Sequence, residues 1–551
     1  MKKILAPALV IAVASLIATG LFVSKVAADD DDRDHFEFKP GTLVLSRSVY
    51  AGNAATVTLG QTLPPGCVAG SVNVPLLAGG VVGVKVACAA AIADGTYPTV
   101  FNNNKSDGSF GVTSPIFIDN LTTDGEKIGS LAVPSDLILT SFSSKSELAL
   151  NRSLDGKSFT FVGYRGGPGF LTAPNQLDVS NSNTPGVVDP TNPVVSQYYR
   201  AVAELGADGR IRVTDGNAYS GNNGRAAIKG NWLYYLAGND NNGGLSSKQL
   251  TTTQVGINLI TSTGAELLVP GQTPPVPPNI NKIGDFEVTQ VGYKTADKAG
   301  KDNNFRGLTI FNNTLYVTKG SGGNGINTVY QVGNAGTLPT GTTAQLAGEP
   351  ITILPGFPTG LASGVDQNGN PSPVSFPFGL FFANASTLYV CDEGDGTFVN
   401  PPVNGNQASA AAQATAGVQK WSLVNGTWHL LYILQNGLNI GVPYNAGSYP
   451  APATDGCRNI TGHVHHDGTV DIYAVTSTVS ASGDQGADPN KLVKVTDLLS
   501  ATTLPTGHGD NDRDDSLGHF VTLRTASFGE VLRGVAFAPS DRPDDDHDDR
   551  R

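Results

Sequence analysis

The sequence lacks the short motifs that mark many catalytic sites. It contains no Gly-x-Ser-x-Gly elbow, no Ser-x-x-Lys, no His-Glu-x-x-His and no Walker loop. Outside the N-terminus it also lacks the 3.6-residue apolar period of amphipathic helices. These absences leave enzymatic activity open, because catalytic groups can come from scattered loops. They direct attention to the fold.

An excess of basic residues is also missing. The 551-residue chain has a formal net charge of -12, and acidic runs lie at Asp29–Asp34 and Asp541–Arg551. Nucleic acid binding requires a basic footprint, so we expect no nucleic acid partner. We interpret the two runs as solvated segments, with weak capture of divalent cations as the alternative.

Long apolar runs are confined to the N-terminus. Lys2–Lys3, the apolar stretch Ile4–Val23 and the small residues Val26–Ala28 predict a signal peptide, and a retained membrane anchor is the alternative. The mature chain is then exported, secreted or periplasmic, with no membrane span. The predicted organisation is a signal peptide (1–28), an acidic segment (29–40), one large domain (41–540) and an acidic tail (541–551).

Cysteine is scarce and does not follow a metal-binding or haem pattern. The four cysteines have no zinc-like spacing, and Cys-x-x-Cys-His is absent. An exported chain with an even number of cysteines predicts two disulfides, for which three pairings exist. The four residues are Cys67, Cys88, Cys391 and Cys457.

A repeated strand pair is the clearest feature that is present. Asn304–Val317 predicts two short strands joined by a tight turn at Asn312–Asn313. Similar pairs recur at intervals of 72 to 81 residues, which is typical of a repeat architecture. The six predicted inner strands start at Glu147, Arg225, Arg306, Phe378, Arg458 and Arg533.

Four antiparallel strands per unit, repeated radially, predict a single all-β propeller. We count six four-stranded blades; a seventh would use Phe286–Val291. After the start at Arg533 the chain ends before a second strand is complete. Residues 41–50 and 114–133 are therefore expected to complete that blade, so that the N- and C-terminal strands pair and close the ring.

Several sequence features resemble those of exported bacterial β-propeller proteins with NHL- and YVTN-like repeats. They are the Arg-Gly start at Arg306, the second strand Leu315–Val317, the segment Gly417–Trp421 and the closing run Arg533–Pro539. The resemblance covers about residues 110–540. It implies the propeller fold, and it supplies no catalytic residues.

The repeat also predicts which residues share one face. Inner strands start, and second strands end, on the same side of a propeller. Arginine starts four of the six inner strands, and guanidinium groups bind oxyanions bidentately, so we predict an anion-binding face. Pairing of the arginines with carboxylates of neighbouring blades is the structural alternative, with Glu147 as one candidate partner. The predicted ligand-binding residues are Arg225, Arg306, Arg458, Arg533, Lys319, Asp392 and Glu393.

The same geometry brings Cys391 at the end of one second strand close to Cys457 at the next inner strand. We therefore predict a Cys391–Cys457 disulfide between adjacent blades. The remaining pair, Cys67–Cys88, would close a local loop within an insertion.

Two weaker patterns suggest metal binding. His463 and His465 would share one face of a strand, although Asp467–Gly468 predicts an exposed turn there. The run Asp510–Asp515 resembles the opening of a calcium loop, but it lacks the required Gly and Glu. The candidate metal ligands are His463, His465, Asp510, Asp512 and Asp514, and the candidate ion is Ca²⁺.

The sequence favours an exported propeller scaffold or binding protein whose arginine-bearing face holds an anionic ligand or an extracellular or periplasmic protein. The alternative is a calcium-dependent propeller hydrolase of lactonase, esterase or phytase type, which needs converging oxygen or histidine ligands and a positioned water. A quinone-dependent dehydrogenase is a third possibility, but aromatic stacking residues around the channel are not evident.

Overall fold

The computed structural model describes residues 36–540, apart from 51–56, 76–80, 87, 93, 95, 99–111, 146, 168–181, 188–191, 193, 195, 240–256, 262–280, 296, 298–301, 321, 398–413, 481–484 and 506–516. The predicted signal peptide (1–28) and acidic tail (541–551) lie outside the described residues. The described part is dominated by antiparallel β-sheets.

The strands of the N-terminal half are β1 (Leu43–Val49), β2 (Thr62–Leu63), β3 (Gly70–Pro75), β4 (Val81–Val86), β5 (Ala89–Ala90), β6 (Thr113–Ser114), β7 (Ile116–Leu121), β8 (Lys127–Ala132), β9 (Ile138–Ser141), β10 (Asn151–Arg152), β11 (Ser158–Arg165), β12 (Arg200–Gly206), β13 (Ile211–Gly216), β14 (Gly224–Gly230), β15 (Leu233–Gly238), β16 (Ile257–Thr261) and β17 (Asn281–Ile283). Those of the C-terminal half are β18 (Leu308–Phe311), β19 (Thr314–Lys319), β20 (Thr328–Val332), β21 (Ile351–Ile353), β22 (Pro377–Asn384), β23 (Thr387–Asp392), β24 (Gly417–Val424), β25 (Thr427–Leu434), β26 (Ala453–Val464), β27 (Thr469–Val479), β28 (Lys491–Leu498), β29 (Val521–Thr525) and β30 (Glu530–Phe537).

Five sheets have the predicted four-stranded order. Four of them are continuous in sequence: β14 to β17, β18 to β21, β22 to β25, and β26 to β29. The fifth joins the two ends of the chain in the order β30-β1-β7-β8. In a repeat architecture each unit buries apolar side chains against its neighbours, which is consistent with the short and regularly spaced apolar runs of this sequence.

The prediction of six four-stranded blades is wrong for the unit that starts at Glu147. That region forms a six-stranded sheet of different order, in which β11, β12 and β13 are regular but the short strands β9 and β10 both pair with β11. The inner strand is interrupted because Leu148 has a left-handed φ of 68°, which extended strands do not accommodate.

The alternative of a seventh blade is also wrong. Strands β16 and β17 complete the sheet that β14 begins. The predicted strand Phe286–Val291 is instead a loop followed by a 3-10 helix at Val288–Val291, which Gly292 ends with a left-handed φ of 102°. Phe286 and Val288 are buried in the core. The alternating apolar residues that predicted a strand here therefore indicate buried side chains and not an extended backbone.

The innermost strands contact one another in chain order, from β14 through β18, β22 and β26 to β30, and β10 contacts both β30 and β14. This is a β-propeller arrangement. The Arg-Gly pairs permit the close approach: a Cβ at Gly307 would lie 2.0 Å from the Phe378 carbonyl oxygen, and one at Gly534 would lie 2.4 Å from the Leu148 carbonyl oxygen.

The two ends of the domain meet in one sheet. Strand β1 pairs antiparallel with β30 from Leu43 opposite Phe537 to Val49 opposite Glu530, and with β7 on its other side. Arg47 of β1 is bonded to Asp119 of β7 at 2.9 Å and to Glu530 of β30 at 2.6 Å. The pairing of residues 43–49 with β30 agrees with the prediction.

Both predicted disulfides are present. Cys391–Cys457 joins the end of β23 to β26 in the adjacent sheet, and Cys67–Cys88 lies within the insertion. In that insertion β2 pairs with β5 and β3 pairs with β4.

In the described residues, helical structure is limited to short elements. The α-helix α1 spans Thr343–Ala347 and begins with a capping box between Thr342 and Gln345. None of the helices in the described ranges is long and apolar enough to cross a membrane.

Candidate functional site

The predicted site residues lie at two recurring places in the fold. Arg225, Arg458 and Arg533 lie in the first half of β14, β26 and β30, and Arg306 precedes β18 by two residues. Lys319 and Asp392 are the last residues of the second strands β19 and β23, and Glu393 follows Asp392. The antiparallel register therefore places them at one end of their sheets.

Arg458 and Glu393 form an ion pair between adjacent sheets. The Arg458 Nε lies 3.0 Å from Glu393 Oε2, and both side chains are buried. The Arg458 Nη2 also lies 3.5 Å from the carbonyl oxygen of Gln485. This ion pair joins two adjacent sheets. It matches the alternative prediction that the arginines pair with carboxylates of neighbouring blades.

Arg225 and Arg533 also reach neighbouring sheets, but through neutral groups. Arg225 donates to the side-chain oxygen of Asn304 and to the Phe305 carbonyl oxygen at 3.2 Å. Arg533 donates to the carbonyl oxygens of Phe142 and Ser144 and to Ser48 Oγ. Both guanidinium groups are therefore positioned without a carboxylate in these contacts.

Arg306 and Lys319 are neighbours across a strand pair. The Arg306 amide donates to the Thr318 carbonyl oxygen at 2.7 Å, which sets Lys319 one residue away. Lys319 is fully buried and its Nζ donates to Asn327 Oδ1 at 3.0 Å. Arg306 is half-buried, whereas Arg225, Arg458 and Lys319 are buried.

We refer to Arg225, Arg306, Lys319 and Arg458 as the cation cluster, because their charges interact. Burial lowers the pKa of Arg225, and the charge of Arg306 lowers it further. Burial lowers the pKa of Arg306 to about 10, and the charge of Arg458 adds to this while Glu393 opposes it. The cluster therefore contains like charges that destabilise one another.

Lys319 is the lysine of the cluster, and its pKa is strongly lowered. Burial lowers its pKa to about 7, and the charges of Arg306 and Arg225 act in the same direction. Asp302 and Asp297 act in the opposite direction without restoring the ordinary value. Near neutral pH the Lys319 amine is thus divided between its charged and neutral forms.

Glu393 supplies the central negative charge. Burial alone would raise its pKa, but the positive charges of Lys145, Arg458 and Arg306 outweigh burial and lower the pKa. Glu393 is therefore ionised, and it compensates only part of the positive charge around it.

Among the described contacts, Asp392 is bonded to backbone amides and to the Gln419 side chain rather than to the arginines. Its carboxylate accepts from the amides of Phe376 at 2.8 Å and Gly394 at 2.9 Å. Burial raises the pKa of Asp392 to about 7, and burial also raises that of the nearby Asp455 to about 7. At neutral pH these two acids are therefore partly protonated, which makes the region less negative than a count of carboxyl groups suggests.

The disulfide-bonded insertion is docked at the same end of the sheets. Tyr97 is buried, and its hydroxyl donates to the Ala487 carbonyl oxygen at 2.7 Å. Its ring contacts four aromatic rings from other segments, namely Tyr50, Phe142, Tyr449 and Phe528. Because the Phe142 carbonyl also accepts from Arg533, the insertion lies beside the residues that hold this arginine.

The sequence did not identify several residues that shape the site. Asn304, which accepts from Arg225, stands two positions before Arg306. Its position just before an inner strand could have identified it as a neighbour of the predicted arginines. Asn327, Asp455 and Tyr97 lie in loops or at strand starts without a repeated pattern, so nothing local pointed to them. Glu147, predicted as a carboxylate partner, is buried and accepts from Thr140 and the Ser141 amide instead.

His463 lies near the C-terminal end of β26, and His465 directly follows that strand. The rings of His463 and His465 are 4.7 Å apart, and His465 Nε2 lies 3.2 Å from Asp471 Oδ2, which is also 3.0 Å from Lys494 Nζ. Among the described residues there is no group of three or more His, Cys, Asp or Glu that could hold a metal ion. Asp510, Asp512 and Asp514 lie outside the described residues.

Comparison with known proteins gives no family assignment: no family model and no curated protein sequence matches the chain. Among solved structures it is similar to the hemagglutinin-neuraminidase ectodomain of parainfluenza virus 5, at 9% identity and a TM-score of 0.28, over 86% of this chain and 87% of that one. It is also similar to cobalt-substituted apocarotenoid oxygenase from Synechocystis, at 10% identity and a TM-score of 0.19, over 87% and 66% of the chains.

Proposed function

We propose that this protein is an exported β-propeller that binds an anionic ligand, or an anionic group of a protein partner, at the cation cluster. Arg306 makes the principal contact because it alone in the cluster is half-buried. Arg225 and the protonated form of Lys319 add positive charge near it, and Arg458 is held in place by Glu393. The ligand carries a carboxylate, phosphate or sulfate group.

The main support for this proposal is the electrostatic repulsion among the positively charged side chains of the cation cluster. Burial is the main cause of the lowered pKa values of Lys319 and Arg225. Arg306 and Arg225 lower that of Lys319 further, and Arg306 lowers that of Arg225 further. An anion bound among them would relieve this repulsion, and hydrogen bonds between charged partners are about twice as strong as neutral ones.

The proposal includes a ring closed by the two ends of the chain. The pairing of β1 with β30 and the contact of β10 with β30 support closure. The two disulfides suit an oxidising, extracytoplasmic compartment, which supports export.

The test is isothermal titration of the mature chain with sulfate, phosphate and a small carboxylate. We expect Arg306→Gln to weaken binding by about 10- to 100-fold, because a hydrogen bond to a charged group contributes about 1.5–3 kcal/mol. Arg210→Gln is the matched control, since the Arg210 side chain is 64% exposed and pairs only with Asp208 among its salt bridges in the described residues.

Equal affinities of the wild type and Arg306→Gln, or no anion binding by the wild type, would contradict the proposal. The calcium-dependent hydrolase predicts a different result in the same experiments: hydrolysis of an ester, lactone or phosphomonoester that chelation abolishes and calcium restores.

A further inference from the structure

Lys319 has the surroundings of a reactive amine. It is fully buried at the end of β19, and the guanidinium groups of Arg306 and Arg225 are close enough to disfavour its charge. A lysine that is desolvated and placed next to another cation becomes a nucleophile near neutral pH, because more of it is the neutral amine. Anion binding alone does not require this arrangement, since an ordinary charged lysine would bind an anion better.

Asn327 provides a second, independent observation. Its Oδ1 accepts from Lys319 Nζ at 3.0 Å, which holds the amine in place. Its Nδ2 is buried and has no hydrogen-bond partner among the described residues. A buried donor left unsatisfied beside a nucleophile suits the oxygen of a carbonyl group that the amine attacks.

Arg225 offers a further donor in the same cluster. Its Nη1 is engaged by Asn304 and by the Phe305 carbonyl, whereas its Nε is buried without a hydrogen-bond partner in the described part of the chain. Together with the half-buried Arg306, it provides donors for a carboxylate. The region thus combines a carboxylate-binding pair, an amine and a carbonyl-oxygen donor.

We propose that Lys319 forms a Schiff base with a 2-oxo acid whose carboxylate is held by Arg306 and Arg225. The inference rests on the proposed function and specifies its ligand class. In a 2-oxo acid the carbonyl carbon is bonded directly to the carboxylate, so one binding event delivers both groups. This matches the adjacency of Arg306 and Lys319 across the strand pair.

The chemistry balances without an added oxidant or reductant. The neutral amine of Lys319 attacks the carbonyl carbon, and the Asn327 amide donates a hydrogen bond to the carbonyl oxygen as it gains charge. Proton transfer from nitrogen to that oxygen gives a carbinolamine. Loss of water then leaves a C=N bond between Lys319 and the former carbonyl carbon, and addition of water reverses the sequence.

The experiment is borohydride trapping on the mature full chain. Protein is incubated with pyruvate, reduced with sodium borohydride and digested, and the adduct is located by peptide mass mapping. We expect a reductively coupled pyruvate on Lys319. The trapping rate should level off above about pH 7, whereas an ordinary lysine keeps gaining reactivity towards about pH 10. Lys319→Arg should lose the adduct.

Lys494→Arg is the matched control, because Lys494 is another buried lysine, lies outside the cation cluster and contacts Asp471 at 3.0 Å; this variant should retain the Lys319 adduct. Mapping the adduct on the wild type needs no variant, so it still tests the proposal if Lys319→Arg fails to fold.

Binding of lactate, which lacks the carbonyl group, is measured in parallel. Lactate binding without trapped pyruvate on Lys319 overturns this inference and leaves the proposed function standing. Failure of both lactate and pyruvate to bind overturns both.

Discussion

Replacing Glu393 is the most informative perturbation of the fold and the site together. Its carboxylate lies 3.0 Å from the Arg458 Nε, and the side chains of Glu393 and Arg458 are 6% and 5% exposed. Lys145 and Arg306 are also close enough to lower the pKa of Glu393. Glu393→Gln keeps the side-chain volume and removes the charge, so Arg458 stays buried without its counter-charge.

The expected magnitude follows from this burial. Removing one partner of a buried ion pair costs about 3–5 kcal/mol of the free energy of unfolding, because the other charge is left uncompensated. The glutamine oxygen can still accept from Arg458, so we expect the lower end of this range. The matched control is Asp208→Asn, which breaks the exposed Asp208–Arg210 pair and should cost about 0–1 kcal/mol.

The assay is urea unfolding monitored by intrinsic fluorescence, with and without sulfate. Loss of the Glu393 charge makes the cation cluster more positive, so sulfate should stabilise Glu393→Gln more than the wild type. A loss no larger than that of Asp208→Asn would refute the reasoning about the ion pair. Equal stabilisation of the two proteins by sulfate would refute the electrostatic account of the cluster.

Three other predictions follow from the described contacts. Replacing Cys391 and Cys457 together by Ser should lower the free energy of unfolding by about 2–4 kcal/mol in thermal or urea unfolding, because the disulfide closes a long loop between sheets. Tyr97→Phe should cost about 0.5–1.5 kcal/mol through its lost hydrogen bond, and limited proteolysis should then cut the insertion faster than in the wild type. The folded-state pKa of Asp392 is raised to about 7, so the folded protein retains a proton that the unfolded chain releases above about pH 4. Its contribution should therefore make the free energy of unfolding decrease from about pH 4 to about pH 7, by up to about 1.4 kcal/mol per pH unit, and Asp392→Asn should flatten this slope.

The regular part of the fold could be predicted because its signal is local. The alternating apolar residues of Leu315–Val317 and the turn at Asn312–Asn313 define a strand pair without reference to the rest of the chain. The next inner strand approaches closely at the glycine after Arg306, so a larger residue would not fit there. The repeated Arg-Gly pair therefore marks the contact between neighbouring inner strands. The register of these pairs then placed Cys391 next to Cys457.

The irregular features could not be predicted because they depend on distant contacts. The interrupted strand near Glu147 reflects one left-handed residue, Leu148, whose sequence looks like an ordinary strand. Tyr97 belongs to an insertion, and its packing position is set by rings far away in the chain. The partners of the arginines follow the same rule: sequence placed Arg225 at the right end of its sheet but could not choose between a carboxylate and Asn304.

The most direct test of the central claim is to locate a bound anion. Crystals of the mature protein soaked in selenate, which replaces sulfate and scatters anomalously, would show where the anion binds. The account predicts an anomalous peak within hydrogen-bonding distance of the Arg306 guanidinium, absent from crystals of Arg306→Gln. Selenate bound elsewhere on the protein, with none at Arg306, would contradict it.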